Sequence, residues 1–223
     1  ATAEDAIAFG YSAAASGIDS IAIGKSAVAS KDNSTAIGTD ANATALSSSA
    51  FGDASQATGF QSTALGALAK ATQQNATAVG ERAEASGTQS TAIGRQSVAN
   101  KSGTTALGTI SKAIGVRATA LGVQSTASGK CSIAVGSWSV ASGNLSQAIG
   151  ANATASGTNS TALGSYSNSS KTNSTAIGTG SVTSRDNQIM LGTSSVDVTV
   201  ASLSGSGSAI VSATSDGTLR RTD

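Results

Sequence analysis

The sequence predicts an all-β parallel roll of stacked fourteen-residue coils, and three observations carry that expectation. Glycine stands at 10, 24, 38, 52, 66, 80, 94, 108, 122, 136, 150, 164, 178 and 192, fourteen copies at a step of 14 with no insertion or deletion. The residue before each of these marker glycines is large and apolar, from Phe9 and Ile23 to Leu191, and the one before that is Ala thirteen times and then Met190. Finally, the 223 residues include 26 Gly and no Pro, with only 3% aromatic residues, so bulky anchors for a globular core are scarce. A Ser/Thr/Gly linker of similar composition holds no such register.

Each half of the repeat alternates at period two. Ahead of the marker Gly, the residues at minus three and minus one share one strand face, and those at minus four (mostly Ser) and minus two (Ala) share the other. A short strand therefore ends at each marker Gly. Beyond it, plus three is only Ala or Ser, and plus five is Ala in eleven successive copies, Ala15 through Ala155. Polar or β-branched residues such as Asn42, Lys70, Glu84 and Lys112 sit between them at plus four, which defines the second strand. A second Gly falls seven after the marker in seven copies. Two strands of about four or five residues and two Gly-assisted corners fill the repeat and give a flattened, two-layered coil. At ~4.8 Å per coil, fourteen coils make a rod roughly 67 Å long. Pro has no donor for such a ladder, which accounts for its absence.

The expected core is the bulky row at minus one, Ile23, Ile37, Phe51, Leu65, Ile93, Leu121, Ile149 and Ile177, packed against the small rows at plus three and plus five. The Ala row at minus two, with Ala22, Ala36, Ala64, Ala92, Ala106, Ala120, Ala148 and Ala162, is then expected on the outside. A flat apolar strip of that length implies lateral packing of identical rods, with close backbone approach.

Composition excludes several classes of function. With no His and one Cys, the chain lacks His-based acid and base chemistry, most zinc sites and any intrachain disulfide framework. Charged residues are 11% of the chain and balance to +1, so nothing draws it electrostatically to nucleic acid. No apolar run is long enough for a membrane-spanning helix, and no signal peptide opens the chain, which reads as a mature or excised segment. No catalytic residues, metal ligands or cofactor-binding motif stand out, and no cofactor is expected. Cys131 reads as an unpaired thiol. Asn recurs at one corner phase, as at Asn33, Asn75, Asn159 and Asn173, because it tolerates the left-handed backbone conformation. Variable residues cluster at plus one and plus two, where exposed aromatic or Arg side chains favour binding. The candidate ligand-binding residues there are Trp138 and Tyr166, two coils apart on one edge, with Arg82 and Arg95.

The segments Asn33-Ser34-Thr35-Ala36-Ile37-Gly38, Asn159-Ser160-Thr161-Ala162-Leu163-Gly164 and Asn173-Ser174-Thr175-Ala176-Ile177-Gly178 resemble the head repeat of YadA-type trimeric autotransporter adhesins. The match runs from residue 1 to about 192. The resemblance implies a left-handed parallel β-roll and a homotrimer. It further implies a non-enzymatic adhesin head outside the outer membrane of a Gram-negative bacterium, binding host matrix proteins, cells or surfaces without inserting into the membrane itself. Some copies, such as Ser55-Gln56-Ala57 through Gly59-Phe60, lack the Asn-Ser start but keep the Ala-aliphatic-Gly core.

Two regions follow from this pattern: repeats over 1–192 and a connector over 193–223. After Gly192 neither the family's neck motif nor a heptad-patterned stalk appears. Residues 195–200 alternate like a strand, Ser204-Gly205-Ser206-Gly207 reads as a flexible joint, and Ala209-Ile210-Val211 with Ser215 to Leu219 suggests a small hairpin. Two further readings stay open. One is a trimeric viral or phage fibre. The other is an ice-binding solenoid built on the Thr row at minus three, eight copies strong; against it stands the expectation that this row shares its face with buried aliphatics.

Overall fold

The computed structural model describes residues 1–194, together with the backbone of two strands, Ile210–Ala213 and Leu219–Thr222, which pair antiparallel. The strand expected over 195–200, the joint at 204–207 and the turn at 214–218 lie outside the described residues.

Among the described residues there is no helix, and residues 1–194 form a two-sheet parallel roll. Up to Ser169 each coil gives a three-residue strand to one sheet and a two-residue strand to the other. The first sheet has 14 strands, from Ile7–Phe9 to Ile189–Leu191, stacked in chain order; the second has 12, from Ala14–Ala15 to Asn168–Ser169. An isolated parallel bridge between Asn168 and Val182 continues the second sheet. Register shifts by one repeat throughout, so Ala22 pairs with Ala36 and Ile23 with Ile37. Like therefore stacks on like.

The strands are shorter than expected because the corners take more of the repeat. At one corner Ala41 N–H donates to Gly38 O (3.3 Å), and at the other Ser34 N–H donates to Lys31 O (3.1 Å). The third residue of each turn has positive φ, 54° at Asp40 and 57° at Asn33, the pattern of a type II turn. Asn, Asp, Ser and Gln fill most of these positions, since short polar side chains tolerate that conformation best. The marker glycines meet a second demand. At Gly94 φ is +126°, and a Cβ would lie 2.6 Å from the carbonyl oxygen of Gly108 in the next coil. No other residue fits both conditions.

The core reverses the expected parity. Ala22, Ala36, Ala64, Ala92, Ala106, Ala120, Ala148 and Ala162 have 0% exposure within a single chain, so they line the interior of the roll and cannot touch a partner. Conversely Ile23, Ile37, Phe51, Leu65, Ile93, Leu121, Ile149 and Ile177 stand on the outer face, with Leu65 at 47% exposure. The interior is four columns of small residues: Ser or Ala at minus four, with Thr104 once, Ala at minus two, Ala or Ser at plus three, and Ala at plus five until Ser169 and Thr183. The physical reason is thickness. Tight turns bring the two sheets so close that small groups, methyl and hydroxymethyl nearly throughout, fill the gap at native packing density. The hydroxyls of Ser20, Ser132, Ser146 and Ser160 have no partner, but most buried hydroxyls are served locally: Ser48 Oγ donates to Ala45 O (2.7 Å), and Ser111 Oγ to Gly108 O (2.8 Å). Serine thus satisfies its own turn and leaves the ladder intact.

Candidate binding surfaces

Because the strands are pleated, the outer face of the first sheet carries the minus-three and minus-one rows together. In successive coils the minus-one row reads Leu65, Val79, Ile93, Leu107 and Leu121, half-buried to exposed. It forms an apolar stripe the length of the roll. The outer face of the second sheet is different in kind. Its single row runs Asn42, Gln56, Lys70, Glu84, Val98, Lys112, and Lys70 sits in register beside Glu84. One face is solvated in the ordinary way, whereas the other exceeds the apolar patch that solitary soluble chains present.

The same reversal turns the Thr row outward, since Thr35, Thr63, Thr77, Thr91, Thr119, Thr161 and Thr175 are half-exposed and Thr105 is exposed. Burial of its face thus no longer argues against ice binding. The neighbouring column does: Phe51, Leu65 and Val79 differ in height from coil to coil, so the hydroxyls do not form a level lattice.

All four candidate ligand-binding residues lie on one edge of the roll, the corner after the marker Gly. Trp138 (56% exposed) and Tyr166 (66%) occupy the positive-φ turn position, at 62° and 58°. They are joined through the coil between: Asn152 N–H donates to Ser137 O and Tyr166 N–H to Ala151 O, each at 2.9 Å. Arg82 and Arg95 stand on the same edge but three or four coils earlier, roughly 14 to 19 Å from Trp138. Arg82 is engaged by the carboxylate of Glu81. A recess of about 280 Å³ nearby is lined by Leu68, Lys70, Arg82 and Glu84 and mixes both signs of charge. The structure therefore brings the two aromatics together and leaves the two arginines apart from them.

Cys131 is half-buried at the opposite corner, with its thiol free. Among the described residues no three His, Cys, Asp or Glu side chains converge on a point that could hold a metal ion, and no helix is long and apolar enough to cross a membrane.

Fold and surfaces together define a rigid, repeat-built module whose outer faces and edges are its working parts. The YadA head domain repeat (2 copies) matches residues 1–27, 29–55, 57–83, 85–109, 113–137, 127–146, 141–167 and 169–187, and the chain belongs to that family. Among solved structures it is similar to the collagen-binding domain of the Yersinia adhesin YadA. That similarity has a TM-score of 0.52 at 31% identity and covers 68% of this chain and 76% of that one. No curated protein matches the chain at a significant level. Membership makes this an adhesin-type head module, exposed at a cell surface, from a family that is in general not enzymatic.

Proposed function

We propose that the chain is the head of a homotrimeric surface adhesin that attaches a Gram-negative cell to host extracellular matrix or cell surfaces. The observation that carries this is the outward apolar stripe at minus one. Three rolls that turn this face toward a common axis bury it along its whole length, as a symmetric assembly of identical chains requires. The Ala row was expected to make that contact; it is spent inside the roll. The polar second sheet and the corners then face outward in triplicate, and many weak contacts add through avidity. The likeness to a collagen-binding domain makes matrix protein the first ligand class to test.

Sedimentation equilibrium of the 223-residue chain tests the assembly, and attachment to collagen-coated surfaces tests the ligand class. A mass of three chains is expected, collapsing to one in the double variant Leu121→Asp, Ile149→Asp. A stable monomer of the unsubstituted chain overturns the reading.

A further inference from the structure

The edge that carries Trp138 holds more than two aromatic rings. Reading only the positive-φ turn position, successive coils present Ile110, Gln124, Trp138, Asn152 and Tyr166, with φ between 56° and 62°. Each N–H in this column donates to the carbonyl of the preceding coil at 2.9 Å, from Ile110 on Arg95 to Tyr166 on Ala151, so the five residues stand in one straight file. Large apolar side chains alternate with carboxamides. The adjoining plus-one column over the same coils is Thr109, Val123, Ser137, Ala151 and Ser165, low in profile and without charge. Upstream the same edge is charged, with Lys25, Asp40, Asp53, Glu81, Arg82 and Arg95. The charge stops at Arg95, where the alternation begins.

Three of these residues are poorly suited to their backbone. Left-handed geometry disfavours β-branched and bulky side chains, and Asn, Gly or Asp fills such a turn with less strain. At more than half exposure, Trp138 and Tyr166 gain little from packing within the chain. Strained bulky residues in open positions, aligned and evenly spaced, point to a ligand.

We propose that this file is a binding track for a neutral, extended, β-1,4-linked hexose chain. Coil spacing puts the two rings about 10 Å apart, with one coil between them. In a β-1,4-linked chain each sugar advances by close to one coil height, and neighbouring sugars alternate in orientation, so like faces recur at every second unit. Ring faces at every second coil meet those like sugar faces. Aromatic side chains combine an apolar face for the ring C–H groups with a polar tip. Between them Gln124 and Asn152 each supply both a donor and an acceptor to hydroxyl groups. The absence of charge over five coils selects a neutral chain over sulfated or uronic ones. This rests on the adhesin reading only for the outward presentation of the edge; it names a ligand class for it.

Trp138 is the single tryptophan of the chain, so its emission reports on the track. Titration of the assembled 223-residue chain with cellohexaose is expected to shift this emission to the blue and saturate, and acrylamide should quench it fully beforehand. In gels containing hydroxyethyl cellulose, the variants Trp138→Asn and Tyr166→Asn should each lose about tenfold in affinity. Both should fold, because Asn152 already occupies this position one coil away. A Trp138 shielded from acrylamide in the assembly overturns the proposal, as do unchanged retardation of the Asn variants and equal competition by heparin oligosaccharides. A collagen peptide that shifts Trp138 while cellohexaose does not also overturns it and makes the edge a protein-binding one. Attachment of the same variants to collagen-coated surfaces separates the two readings. Attachment without a glycan response sinks the track alone, and a glycan response without attachment sinks the matrix reading alone.

Discussion

The carboxamide of Asn159 donates to the side-chain oxygen of Asn173 one coil further on (3.1 Å), and Asn173 repeats the bond to Asn187 at the same distance. All three residues sit at the left-handed turn position, with φ of 54°, 51° and 54°. The result is an asparagine ladder along one corner at the C-terminal end of the repeats. It does two jobs, tolerating the turn and tying three coils together.

Asn173→Ala should therefore cost about 2 kcal/mol, one part from the two lost side-chain bonds and one from Ala at positive φ. Asn173→Gly keeps the turn and should cost about half as much. Urea unfolding measures both. In a solenoid of nearest-neighbour contacts the effect stays local, so amide exchange should quicken in the last coils before it does so in the first.

The parity of the roll is tested by one neighbouring pair. Ala92 is fully buried and Ile93 is 37% exposed. Ala92→Leu inserts three carbons between sheets with no room for them and should destabilise by at least about 3 kcal/mol, or abolish folding. Ile93→Val removes one carbon from the outer face and should cost under about 1.5 kcal/mol. Equal effects in thermal melts would contradict the small-residue core.

Gly94→Ala should be as damaging as any single change in the roll. It forces a Cβ to within 2.6 Å of the Gly108 carbonyl and places Ala at φ +126°. Neither strain is relieved without separating two coils, so a loss of more than about 3 kcal/mol is expected. Circular dichroism against temperature checks it.

Ile110→Asn should go the other way. A β-branched residue at φ 59° gives way to one suited to that geometry, for a gain of about 1 kcal/mol. Stabilisation here, measured as a raised urea midpoint, would show that the edge holds its bulky residues against folding stability.

The periodic architecture was plain in the sequence, because the marker Gly and the Ala column recur without a break and stacking demands that recurrence. Corners were legible too, in the Asn and Gly phases. The inside and outside of the sheet were not, because the bulkier and more hydrophobic column of the first sheet is the one that faces outward. In a roll this thin, uniformity of size is the better sign. The minus-two column is Ala in thirteen coils, as a gap of constant width requires, whereas the minus-one column varies from Val79 to Phe51, as an outer surface allows. Serine at minus four pointed the same way, since Ser48 and Ser174 can be buried only beside a turn carbonyl, and the turns supply one. Trp138 and Tyr166 were visible as candidates from their type and spacing. The amides between them gained meaning only once the hydrogen bonds placed five turns in a single file.

A core of methyl and hydroxymethyl groups with in-register stacking also makes the coils interchangeable. Any whole repeat can be removed or duplicated, and the surfaces left behind meet flush, since each presents the same backbone edge to its neighbour. Genetic slippage in units of fourteen codons, outside the coils from Ile110 to Tyr166, would then change how far the head reaches from its cell in steps of ~4.8 Å, without disturbing what the remaining repeats hold out to their surroundings.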